Sequence, residues 1–256
     1  MLAMSEPPAI EFANVGYRTS GNRVLLSNLN LTIARGEILM LLGPSGSGKT
    51  TTLKLINALL KASSGTVRVE GRPVSDWDVI ALRRHIGYAI QDVGLFPHYT
   101  VVQNVAIVPR LERWEAARIE KRVAEVLQMV GLPVGDFGQR YPDQLSGGQR
   151  QRVGLARALA ADPPILLMDE PFGAVDPLTR AQLHREFKQL QQRLHKTVVF
   201  VTHDVSEALL LGDRIALMDT GALHGIYTPQ EFATAADATV KRYLDALRAT
   251  QQIFAG

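Results

Sequence analysis

The sequence predicts an α/β fold with a parallel-sheet core, an N-terminal antiparallel β-subdomain and an inserted α-helical subdomain. Three observations carry this. Continuous apolar runs at residues 38–42, 86–90, 165–168, 198–201 and 215–218 have the length of central strands covered on both faces. Helical stretches separate most of these runs, and alternating strands and helices imply a parallel sheet. Residues 29–33 and 67–69 alternate instead, and Ile10, Phe12 and Val15 sit among polar residues; these read as half-buried antiparallel strands.

The helices follow from their periodicity. Residues 50–60 place Leu53, Ile56, Leu59 and Leu60 on one face, and residues 178–194 do the same with Leu183, Phe187, Leu190 and Leu194. Residues 92–157 hold no convincing strand. Within them, residues 114–130 read as an amphipathic helix with Ile119, Val123, Val126, Leu127 and Val130 inward and Gly131 as its stop. After Pro229, the spacing of Phe232, Val240, Tyr243, Leu244 and Leu247 predicts closing helices.

Composition narrows the classes. Of 256 residues, 46% are hydrophobic and 21% charged, which excludes disordered and collagen-like chains. The net charge is only +3 and the basic residues are scattered, Arg83-Arg84 being the longest run. A nucleic-acid surface would cluster them, so no nucleic-acid partner is expected. The absence of cysteine removes disulfides, Cys-ligated zinc and thiol catalysis, and fits a reducing cytoplasm. Residues 1–8 lack the pattern of a signal peptide, and no apolar run approaches the roughly 20 residues that span a bilayer. A membrane role therefore requires a partner.

Chemistry enters at residues 43–50. Gly43, Pro44, Ser45, Gly46, Ser47, Gly48, Lys49 and Thr50 satisfy G-x-x-x-x-G-K-[ST] between a predicted strand and a predicted helix. The glycines let successive backbone N–H groups turn inward onto phosphate oxygens, and the helix start adds its own donors. Lys49 is expected to reach the β and γ phosphates of a nucleoside triphosphate, with the Thr50 hydroxyl on Mg²⁺ and Thr51 beside it. The core is thus a P-loop NTPase (RecA-like) fold.

Two further strands end in reactive groups. The run at 165–168 is followed by Asp169 and Glu170, at the strand edge where ligands collect in open α/β sheets. Acids often end strands merely as caps. With a phosphate loop upstream, Asp169 is expected to hold Mg²⁺ and Glu170 to polarise the attacking water. His203 follows the run at 198–201 and is placed to donate to the γ-phosphate. His85, His98, His184, His195 and His224 have no comparable placement, and no pair has zinc-ligand spacing, so Mg²⁺ is the metal expected.

The remaining motif is Leu145-Ser146-Gly147-Gly148-Gln149, followed by Arg150-Gln-Arg152-Val-Gly-Leu-Ala-Arg157. Physically, Ser146 is a helix N-cap and the glycines expose helix-start N–H groups. Joined to residues 43–50 and to Asp169-Glu170, the motif resembles the signature of ABC-transporter ATPases, over about residues 10–228. The resemblance implies an ATPase domain at 6–228. Residues 6–91 and 158–228 would form the core with its β-subdomain, 92–157 the helical subdomain with the signature, and 229–256 a short helical extension. It further implies that Tyr17 stacks on adenine and that Gln91 senses Mg²⁺ and the attacking water. Two copies pack head to tail in this family, so Ser146, Gly147, Gly148, Gln149 and Asp176, in the loop 173–176, would serve a partner's ATP. Val175 stands where leucine is commoner.

A narrower likeness lies in residues 86–98 and 101–109, which look like the ATP-binding subunits of osmoprotectant importers. That resemblance implies uptake of glycine betaine, choline or carnitine through a membrane permease, fed indirectly by a substrate-binding protein. It places the chain at the cytoplasmic face of the cell membrane. Val93, Leu95 and Phe96 then either touch a permease helix or pack into the helical subdomain. Many such ATPases carry a C-terminal regulatory extension; the sequence stops at Gly256, so sensing of ionic strength or a signalling nucleotide is not expected. Another cargo, such as amino acids or lipids, is the alternative within transport. A non-transport ABC ATPase would carry coiled-coil heptads or a duplicated cassette, and neither is present in the sequence.

Overall fold

The computed structural model of the chain describes residues 7–91, 93–173 and 175–253, with side chains to residue 249. Asp92 and Ala174, which fall within the motifs above, lie outside the described residues, as do the chain ends. In chain order the strands are β1 (Ile10–Arg18), β2 (Val24–Ile33), β3 (Ile38–Leu42), β4 (Ser64–Val69), β5 (Arg72–Pro73), β6 (Ile86–Ala89), β7 (Ile165–Asp169), β8 (Thr197–Thr202), β9 (Arg214–Asp219) and β10 (Ala222–Tyr227). The helices are α1 (Lys49–Ile56), α2 (Val79–His85), α3 (Val101–Val105), α4 (Ile107–Leu111), α5 (Ala116–Met129), α6 (Val134–Phe137), α7 (Gly147–Leu159), α8 (Pro177–Leu194), α9 (Val205–Leu211), α10 (Pro229–Thr234) and α11 (Ala238–Ile253). None of the described helices is long and apolar enough to cross a membrane.

The chain divides into two units, one built from residues up to Asp76 and from Val199 onward, the other from Trp77–Val198. In the first, β1 pairs antiparallel with β2 and with β4, and β4 with β5. Register sets Ile10 opposite Ile33 and Val69, and Phe12 opposite Leu31 and Val67, so the alternating apolar residues meet on one buried face. Beside this sheet run β3 and β9, parallel to each other, with β10 antiparallel on β9. All five residues of β3 are buried, as its unbroken apolar run requires. Phe232, Val240 and Leu244 bury one face each of α10 and α11.

In the second unit β6 and β7 run parallel, Ile86 opposite Ile165 and Ala89 opposite Met168. Helices α3–α7 fill the stretch between them, with no strand among its described residues. Helix α7 packs on α3, α5 and β6, and its Val153, Ala156 and Leu159 are buried. The approach is close: a Cβ at Gly87 of β6 would lie 2.4 Å from the Ala158 carbonyl oxygen. Strand β8 lies across the division of the chain, its six residues all buried.

One expectation needs correction. The helix expected at 50–60 ends at Ile56, because Ala58 turns left-handed at φ 54° and the Leu60 N–H bonds back to the Lys54 carbonyl at 2.9 Å. Leu59 therefore leaves the buried face and is 46% exposed. Helix α2 and strand β10 were not apparent from periodicity; β10 is half-buried along most of its length and carries no alternation to mark it.

Candidate functional site

In the first unit, residues 43–48 link β3 to α1 in a loop that only glycine accommodates at two points. Gly46 and Gly48 have φ 80° and 99°, in the region L side chains avoid. At Gly43 the limit is space, since a Cβ there would lie 2.2 Å from the Met218 carbonyl oxygen of β9. Lys49 is buried and ties the loop across itself, donating from Nζ to the Gly43 carbonyl at 2.7 Å and to that of Pro44 at 2.9 Å. Gly48 stands at the N-cap of α1 without a capping side chain.

Ser47 supplies the sharpest observation. Its side chain is 2% exposed and its hydroxyl has no hydrogen-bond partner among the described residues. Leaving a buried hydroxyl unsatisfied costs about 1–3 kcal/mol. An orphaned donor inside a glycine-lined cradle fits an oxygen-rich ligand such as a triphosphate. Of the other predicted residues in this unit, Tyr17 is half-buried on β1 opposite Leu26. His203 is exposed directly after β8, where the Thr202 hydroxyl accepts from Asp204 N at 2.9 Å and Asp204 caps α9.

In the second unit, β7 ends in Asp169, 6% exposed, and the chain then turns through Glu170 at φ 44°. A non-glycine residue in that conformation is uncommon and clusters at functional sites. Gln91, two residues past β6, donates from Nε2 to Glu170 Oε2 at 3.2 Å. Tyr88 of β6 hydrogen-bonds Asp169, and its hydroxyl is held far above the usual phenol range, first by burial and then by the Asp169 charge and that bond. Tyr88 thus stays a donor at every physiological pH. Sequence reasoning missed it, because its tie to Asp169 depends on the pairing of β6 with β7, two strands far apart in the chain.

Across the same unit, Ser146 caps α7. Its hydroxyl accepts from Gln149 N at 3.2 Å while Gln149 Oε1 accepts from Ser146 N at 2.9 Å. A Cβ at Gly148 would lie 2.5 Å from Thr179 Cγ2, so glycine lets the starts of α7 and α8 meet. The Thr179 N–H is in turn capped by Asp176 at 3.0 Å, which holds the Asp176 carboxyl below its ordinary range. The signature residues and Asp176 are therefore brought together, with Leu178 beside them 80% exposed.

The segment after Gln91 is fixed from two directions. Arg157 of α7 donates to the carbonyls of Val93 and Gly94, the latter at 2.7 Å. Asn104, buried in α3, accepts from Phe96 N at 2.8 Å and donates to the carbonyls of Phe96, Tyr99 and Thr100. Val93 packs against Gly154 and Leu95 is half-buried, whereas Phe96 is 44% exposed.

Among the described residues no group of three or more His, Asp or Glu side chains converges to hold a metal. In the first unit Thr50 offers a hydroxyl oxygen, and in the second Gln91 and Asp169 offer amide and carboxylate oxygens. Hard oxygen donors of this kind suit an ion such as Mg²⁺, which takes few protein ligands and completes its shell with water and substrate phosphates.

Comparison with known proteins shows the family. The profile of the ABC transporter family matches residues 26–173. The chain is 47% identical over 239 residues to the choline transport ATP-binding protein OpuBA of Bacillus subtilis (strain 168), covering 93% of this chain and 62% of that protein. It is 51% identical over 206 residues to the osmoprotectant import ATP-binding protein OsmV of Salmonella typhimurium, covering 80% of this chain and 54% of that one. The chain thus spans less than two thirds of the length of these relatives. Among solved structures, the dimeric post-hydrolysis state of the ATP-binding cassette MJ0796, bound to ADP and Pi, superposes with a TM-score of 0.77 at 36% identity over 86% of this chain and 98% of that one.

Proposed function

The chain belongs to the ABC transporter family, and from that premise we propose that it binds and hydrolyses ATP with Mg²⁺ as the motor subunit of an osmoprotectant importer. The observation that carries nucleotide binding is the loop at residues 43–50, with its self-tied Lys49 and the buried, unpartnered Ser47 hydroxyl. The cargo class follows the names borne by the relatives, choline transport and osmoprotectant import.

In this reading Tyr17 stacks on adenine, residues 43–51 cradle the phosphates, and Thr50, Gln91 and Asp169 hold Mg²⁺. Bound there, the ion would neutralise charge on the β and γ phosphate oxygens. Glu170 takes a proton from the attacking water, Gln91 orients both, and His203 donates to the γ-phosphate. Ser146, Gly147, Gly148, Gln149 and Asp176 serve the nucleotide of a second copy. The adjacency of those residues in one unit, next to the exposed Leu178, supports a composite site.

The motor acts by binding a γ-phosphate more tightly between two closed chains than in one open chain, which is what a ligand needs to shift a conformational equilibrium. A membrane permease follows that motion, docked at the segment 93–96, and a substrate-binding protein supplies the cargo. An exposed aromatic on a backbone pinned by Asn104 suits a docking anchor, since little ordering is left to do on binding.

Uptake of radiolabelled glycine betaine, choline and carnitine in a strain lacking this chain tests the proposal. Uptake is expected to fall for at least one of them and to return with the wild-type chain but not with Lys49→Ala. Undiminished uptake of all three would retire the cargo assignment. For docking, Phe96→Ala is expected to abolish permease stimulation of the ATPase; unaltered stimulation and transport would remove that contact.

A further inference from the structure

Two residues past Gln91 the backbone adopts a conformation that its own side chains oppose. Val93 and Gly94 have φ 50° and 55°, so both are left-handed. For glycine this is easy; for a β-branched residue it is an outlier that persists only when the surroundings enforce it. The surroundings here are two features of α7. Gly154 leaves a gap into which Val93 packs, and a Cβ in that gap would lie 2.6 Å from Val93 Cγ1. One turn further on, Arg157 spreads its guanidinium over the turn, Nη1 donating to the Gly94 carbonyl and Nη2 to that of Val93.

Arg157 is half-buried and forms no ion pair among the described residues. Its planar fork matches two successive carbonyls, a geometry that a lysine ammonium does not reproduce. From the clamped turn the chain leads back to Gln91, whose amide reaches Glu170 at 3.2 Å.

We propose that Arg157 is a positioning residue for Gln91: its fork holds the disfavoured Val93–Gly94 turn, and the turn sets the Gln91 amide against Glu170. This rests on the reading above in which Gln91 and Glu170 serve ATP hydrolysis. The signature helix thereby does two jobs. Its start faces a second chain's nucleotide, and a residue near its end aligns its own chain's water-orienting amide.

A double-mutant cycle on the purified full-length chain tests the assignment, with ATP turnover and the melting temperature as readouts. Gln91→Ala and Arg157→Lys are each expected to lower kcat, on the order of tenfold to a hundredfold for a displaced reactive group. The double variant is expected to match Gln91→Ala alone, because a positioning residue loses its effect once the amide it positions is gone. A merely structural arginine would give losses that multiply, and that result overturns the proposal. Wild-type turnover by Arg157→Lys, with Gln91→Ala impaired, also overturns it while leaving the role of Gln91 intact. Wild-type turnover by Gln91→Ala removes the reading on which it stands. Should Arg157→Lys fail to fold, Gly154→Ala perturbs the same turn from the other side, and the same loss without additivity to Gln91→Ala is expected.

Discussion

The side-chain amide of Gln91 donates to the carboxylate of Glu170 at 3.2 Å, while the neighbouring Asp169 is hydrogen-bonded by Tyr88. Two consecutive acids are thus separated by their partners. The Gln91 amide meets Glu170, and the half-buried Tyr88 phenol meets Asp169.

That separation makes Glu170→Gln an informative variant. The new amide oxygen still accepts from Gln91, so the local arrangement survives, but the proton acceptor is gone. ATP turnover is expected to fall about 10²–10⁴-fold, the usual worth of a general base. Binding of ATP with Mg²⁺ persists, and the variant accumulates as a dimer. Phosphate release and size-exclusion chromatography check this; a variant that stays monomeric at saturating nucleotide counts against a shared site.

Lys49→Ala removes both cross-ties of the phosphate loop along with its cation. Nucleotide affinity is expected to drop beyond the range of isothermal titration, and turnover to vanish. Undiminished turnover in purified protein would sink the assignment of the loop.

The loop glycines separate two kinds of constraint. At Gly46 an added Cβ has nothing within 4 Å, so Gly46→Ala carries only the backbone penalty of φ 80°, about 1–2 kcal/mol. At Gly43 the Cβ meets a backbone oxygen of β9 at 2.2 Å, and Gly43→Ala is expected to cost more, about 3 kcal/mol, because β9 must yield. Urea denaturation of the two variants ranks them; equal losses would show that the close approach is relieved cheaply.

Acid stability has an identifiable contributor at the start of α11. Asp237 accepts from the N–H groups of Thr239 and Val240 at 2.8 and 3.0 Å and pairs with His224 at 3.0 Å. Its carboxyl lies below the ordinary range, mainly through the Val240 bond and then through His224. A depressed carboxyl stabilises the fold above its unfolded value of about 3.9 and stops doing so as pH falls through the folded value. The gap in melting temperature between wild type and Asp237→Ala should therefore be present above about pH 5 and close toward pH 2. A gap that persists at pH 2 would assign the effect to packing.

Much of this was legible in the sequence, for physical reasons that differ by element. Strands β3 and β7 stand out because doubly covered strands must be apolar throughout, and the phosphate loop because its backbone turns are written in glycine. The end of α1 was not, since the left-handed residue there is Ala58, which carries no mark of its conformation. Tyr88 and Arg157 escaped for a different reason. Each acts on residues distant in the chain, through strand register in one case and helix packing in the other, and neither is encoded locally.

The ties from Lys49 to the Gly43 and Pro44 carbonyls also bear on kinetics. A lysine that has already found partners within its own loop keeps the cradle open before any anion arrives, so the ordering entropy is spent at folding and not at encounter. Capture of a nucleotide then becomes a matter of collision and charge, with an association rate that tracks ionic strength more than any closing motion.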